Sequence, residues 1–78
     1  MKRSKKYKIV TGHKATHVRE TLERALIQMR IPYKLVPATD EVREHILITL
    51  EEGDENLTPD IASVCNAFGL GLIQMKQS

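Results

Sequence analysis

A chain of 78 residues with a net charge of +2, one cysteine and only Tyr7, Tyr33 and Phe68 as aromatic residues allows a single domain with a modest core. The lone Cys65 forms no internal disulfide, no apolar run approaches the roughly 18 residues that span a bilayer, and the basic start Met1 to Lys6 lacks the apolar segment of a signal peptide. A disulfide scaffold, a membrane protein and a secreted precursor are not expected, and a cytoplasmic protein, stabilised as a homodimer, is expected.

Charge is divided along the chain. Residues 1 to 14 hold six of the 12 bases and none of the ten acids, so they carry +6 and the remainder carries −4. This division predicts a flexible basic arm over residues 1–6 ahead of one α/β domain over residues 7–76.

Tyr7 to Thr11 is short, β-branched and ended by Gly12, which predicts a first strand. Thr16 follows as a helix cap, and Val18, Leu22, Ala25, Leu26 and Met29 recur at helical spacing to give one apolar stripe. Glu20 is placed to pair with Arg24 and to sit in the first turn, where the helix dipole favours an acid. Pro32 bars the residue before it from the helical region, so the helix ends near Arg30.

Tyr33 to Val36 reads as a second strand at the sheet's border, closed by Pro37. Ala38 to Arg43 is a polar connection with room for one helical turn. From Glu44 to Glu51 the alternation is strict: Ile46, Ile48 and Leu50 fall on one face, His45, Leu47 and Thr49 on the other, which predicts a half-buried central strand. After the acidic stretch Glu51 to Glu55, Thr58 as cap, Pro59 at the first helical position, Asp60 in the first turn and Gly69 beyond the end predict a second helix with Ile61, Val64, Cys65 and Phe68 buried. Leu70 to Met75 supplies a last strand.

The element order β-α-β-β-α-β resembles the ferredoxin-like superfold, a split βαβ arrangement. The resemblance implies a four-stranded antiparallel sheet, strands one and three central, both helices on one face. It rests on elements, and the superfold names no activity. An RNA-recognition module would carry stacking aromatics where the third strand has His45, Leu47 and Thr49. A heavy-metal carrier would need paired cysteines in the loop that here reads Thr11-Gly12-His13-Lys14. An acylphosphatase-like enzyme would need an arginine in a glycine-rich loop at the same place. A small-ligand-sensing domain of the ACT type, or a binding protein without chemistry, survives these tests.

No constellation in the sequence supports an enzyme, a metal or a cofactor. Cys65 lies in an apolar stripe and acts as a small hydrophobe. His13 and His17, four residues apart, lack a third ligand. The acids Asp40, Glu41 and Glu44, like those from Glu51 to Glu55, read as solvated. Gly12, His13 and Lys14 precede a helix N-terminus and offer a candidate anion or small-ligand site.

The face left open by the helices is the favoured site. Alternation assigns it Lys8, Val10, Lys34, Val36, His45, Leu47 and Thr49, an apolar centre with a basic margin suited to a partner. The expected function is a non-enzymatic regulatory protein that binds another protein through this face. A nucleic-acid binder using Lys2, Arg3, Lys5, Lys6, Lys8, Gly12, His13 and Lys14 is the alternative, and ligand sensing at the first loop is the third reading.

Overall fold

The computed structural model describes residues 4 to 75 apart from Glu52 and Asp54. The elements follow in the order β1 (Ser4–Val10), α1 (Thr16–Gln28), β2 (Tyr33–Val36), β3 (His45–Glu51), a 3-10 turn (Glu55–Leu57), α2 (Thr58–Ala67) and β4 (Leu72–Gln74). The four strands form one sheet in the order β2-β3-β1-β4, with every pairing antiparallel. β1 and β3 are therefore the inner strands, and β2 lies at an edge. Among the described residues no helix is long and apolar enough to cross a membrane.

The alternation in β3 sets the core. Ile46, Ile48 and Leu50 are buried and stand opposite Ile9, Tyr7 and Lys5 of β1. Directly opposed residues of an antiparallel pair share a face, so Tyr7, Ile9, Ile46, Ile48 and Leu50 form one apolar surface with the exposed Lys5 at its end. Leu22 and Leu26 of α1 and Ile61 and Cys65 of α2 join the same buried cluster. Burial of a side chain of this size contributes about 1.5–3 kcal/mol, which explains why a stripe of four or five apolar residues is enough to hold each short helix.

Both helices end in the same way. Past α1, Arg30 adopts φ 58°, its amide bonds to Ile27 O and the Ile31 amide to Leu26 O, both at 3.0 Å. Past α2, Gly69 adopts φ 70°, its amide bonds to Asn66 O and the Leu70 amide to Cys65 O. Each is a Schellman motif, closed by an apolar contact position on either side of the turn. Ile31 and Leu70 are both buried there.

Several local expectations are corrected. β1 begins at Ser4, so Lys5 and Lys6 are strand residues opposite Leu50 and Thr49 and not part of an arm; β3 is long enough to offer them partners. Met1, Lys2 and Arg3 of that arm lie outside the described residues. Thr16 and Thr58 sit inside their helices, one position too late to cap: Ala15 and Leu57 occupy the cap positions, without a side-chain bond. Glu20 falls beyond the first turn, and the ion pair along α1 joins Arg19 to Glu23 instead of Glu20 to Arg24. Residues 40–43 form no helical turn. Thr39 closes that bend, its Oγ1 accepting from the amides of Glu41 and Val42.

Candidate functional site

The opposite face of the sheet is assembled by register. Lys34 of β2 stands opposite Leu47 of β3, Leu47 opposite Lys8 of β1, and Lys8 opposite Ile73 of β4. These four residues make one row across all four strands. The row nearer the β2 exit is Val36, His45 and Val10, and on the other side Thr49 stands opposite Lys6. The Met75 amide donates to Lys6 O at 2.8 Å, extending the β4 register so that Met75 stands beside Lys6.

All seven residues assigned to this face by alternation are thus brought together. Their distribution differs from the expected apolar centre and basic margin. Lys6 and Lys8 lie on an inner strand, between Thr49 or Leu47 on one side and Met75 or Ile73 on the other. Cations and aliphatic groups are interleaved, because the alternation within one strand says nothing about which strand becomes its neighbour.

Ile73 at 52 % and Met75 at 37 % exposure are the most accessible apolar members of the face, and neither was singled out from the sequence. The signal was the alternation of Leu72 to Met75, which acquires meaning only from the pairing of β4 with β1. Lys6, read as part of the arm, belongs to this face as well. His45 is only 8 % exposed. Its Nδ1 lies 2.8 Å from Arg43 O; a carbonyl only accepts, so Nδ1 carries the hydrogen, and Val10 and Val36 stand opposite His45 on the two neighbouring strands. It supports the face and offers a partner little surface.

An open depression of about 380 Å³ sits at one corner, bordered by Lys6, Lys34, Leu47, Thr49, Met75 and Pro32. It arises because β2 begins at Tyr33, opposite Ile48, so on that side β3 runs on toward Glu51 without a strand partner, while β1 continues beside it on the other. The Thr49 amide reaches back to Pro32 O at 3.3 Å and sets the wall of this corner.

The residues of the alternative sites are dispersed. Lys5 stands opposite Leu50, on the other face from Lys6 and Lys8. In the first loop, the amides of Thr11 and Gly12 both donate to Glu44 O and the Lys14 amide to Thr11 O, each at 3.0 Å. These donors are committed within the protein. A Cβ built on Gly69 would stand 3.0 Å from Lys14 Nζ, so the Lys14 side chain lies along the C-terminal end of α2, where the helix dipole favours a cation. His13 and His17 are exposed, and among the described residues no three His, Cys, Asp or Glu side chains gather to hold a metal ion.

Glu44 is corrected from a solvated acid to a half-buried anchor. Its Oε1 accepts from Thr11 Oγ1 at 2.9 Å, and its Oε2 from Arg19 Nη1 at 3.2 Å. Arg19 Nε lies 3.5 Å from Glu23 Oε1 without forming a hydrogen bond, so that contact is electrostatic only. Burial pushes the Cys65 thiol above its ordinary value, which leaves it a poor nucleophile.

No protein-family model, no curated protein and no solved structure matches this chain.

Proposed function

We propose that the chain is a ferredoxin-like split βαβ domain, with both helices covering the Ile46 face, and that it is a non-enzymatic regulatory module binding another protein through the Leu47 face. The fold assignment is supported by the β-α-β-β-α-β order, by contact between α1 and α2, and by the single cluster that their buried residues share with Ile9, Ile46 and Ile48. The observation that carries the functional reading is the row Lys34, Leu47, Lys8 and Ile73, which lays accessible aliphatic groups among cations on one face. Accessible apolar surface grouped in this way marks an interaction site.

The homodimer expected from chain length has three routes, the Leu47 face and the two sheet edges β2 and β4. A two-fold copy on the Leu47 face would bring a second set of Lys6, Lys8 and Lys34 into the same interface, so its register would have to keep these like charges apart. Pairing through the β2 edge meets Pro32 and Pro37, which bracket its four residues and discourage strand addition. The homodimer stays the expectation for a chain of this length, and light scattering tests it.

The functional test is affinity capture from the native cell with the tagged protein and with Leu47→Asp and Ile73→Asp variants, eluates being divided for protein and nucleic acid. A protein retained in about 0.5 M salt, where charge contacts alone are screened, and lost with both variants supports the reading. Nucleic acid alone, released by salt, overturns it.

A further inference from the structure

Resting on that reading, we propose the chemistry of the partner: the Leu47 face seats an extended acidic segment of another protein. Carboxylates two residues apart reach Lys6 and Lys8, and the aliphatic surface of the segment lies on Leu47, Ile73 and Met75.

Charge makes the first point. Lys6, Lys8 and Lys34 share this face, and among the described residues none of the three takes part in an ion pair. Glu51 is the one acid that alternation places on the same face, opposite Ser4 at its far end. The face thus carries uncompensated positive charge in its middle, and a partner of opposite sign both accelerates encounter and fixes orientation.

Spacing makes the second. Alternate residues of a strand are about 6.7 Å apart, so Lys6 and Lys8 repeat at the interval of acidic side chains at positions i and i+2 of an extended chain. Lys34, in the row of Lys8 but two strands away, borders the corner depression with Thr49 and supplies a third cation beside the line of β1.

Composition decides between macromolecules. A sugar–phosphate backbone would use the lysines and leave Ile73 and Met75, 52 % and 37 % exposed, without a counterpart. Base stacking would need aromatic rings, yet Tyr7 and Tyr33 stand opposite Gln74 and Ile48 on the other face, and Phe68 follows α2. A protein segment that alternates carboxylates with aliphatic groups matches both parts of the surface.

The test is a titration of isotopically labelled protein, followed by amide NMR shifts, with three probes: a peptide alternating Glu and Val, its Gln and Val counterpart, and a short oligothymidylate. The expected result is saturable shifts at Lys6, Lys8, Leu47 and Ile73 with the Glu peptide, at least tenfold weaker with the Gln peptide. Lys6→Glu with Lys8→Glu should abolish binding of the Glu peptide and create binding of a Lys and Val peptide, a gain that an unfolded variant would not show. Equal response to the Glu and Gln peptides, no response, or tighter binding of the oligothymidylate overturns the inference. If a captured protein partner is still lost with Leu47→Asp while the Glu peptide is inert, the docking reading stands and only the acidic segment falls.

Discussion

The Thr11 hydroxyl, in a residue only 1 % exposed, donates a 2.9 Å hydrogen bond to Glu44 Oε1 and so ties the residue after β1 to the residue before β3. Glu44 passes the connection on to Arg19 of α1, and its carbonyl accepts the amides of Thr11 and Gly12. One side chain and one carbonyl thus hold together two strand ends and the helix above them.

Thr11→Val keeps the shape and removes the hydroxyl, leaving a half-buried carboxylate oxygen short of a donor. The expected loss is about 1–3 kcal/mol, read as a lower urea midpoint with an unchanged slope. Thr11→Ser, which retains the donor, should recover most of it. Equal stability of the Val variant and the wild type would show that the bond contributes nothing.

Gly12 is required for close approach. A Cβ there would stand 3.1 Å from the Glu44 amide nitrogen and 3.3 Å from Arg43 Cβ. Since the first of these neighbours is backbone, it must shift by a few tenths of an ångström against the bonds that the Thr11 and Gly12 amides make to Glu44 O. Gly12→Ala is expected to cost about 1–3 kcal/mol, and a melting point within a degree of wild type would contradict the crowding.

The two helix ends make opposite predictions. Arg30 holds φ 58° with a side chain that this region disfavours, whereas Gly69 holds φ 70° with none. Arg30→Gly should therefore leave stability unchanged or raise it by up to about 1 kcal/mol, and Gly69→Ala should lower it by about 1–2 kcal/mol. In a domain of this size 1 kcal/mol moves the melting temperature by about 4–8 °C, so calorimetry resolves the two signs. The methyl that Gly69→Ala adds must also displace the Lys14 amine, which a flexible side chain permits at little cost.

Cys65 sets an alkaline limit. Burial raises its thiol above the ordinary value of 9.0, so the unfolded chain loses the proton first as pH rises. Stability from this group is complete below about pH 9 and falls as pH climbs toward the folded value, by at most about 1.4 kcal/mol per pH unit. Between pH 8 and pH 10 the wild type should lose more stability than Cys65→Ala, whose other titrating groups are the same. Parallel curves for the two proteins would contradict this. In the same range, native Cys65 should react with a thiol reagent far more slowly than the urea-unfolded chain.

Most of the elements were legible because they rest on local periodicity. The alternation from His45 to Glu51 identified an inner strand and its buried face, the stripe from Val18 to Met29 identified α1, and Gly69 marked the turn after α2. Tyr33 to Val36 was readable as an edge because Pro37 cannot donate to a further pairing. Caps were misread where a second candidate lay one residue away: a threonine before an apolar stripe serves equally as cap or first helical residue, and the loop geometry chooses.

What the local pattern could determine was which residues share a face within each strand and each helix, since a period of 2.0 or 3.6 is a property of the chain itself. The element order already implied that strands one and three are central, but only the tertiary structure decided the register in which the strands pair, because those pairings join residues far apart in sequence. It placed Lys6 beside Met75 and Lys8 beside Ile73, put cations in the middle of the face, and joined Thr11 to Glu44 in contacts that no short stretch of sequence contains.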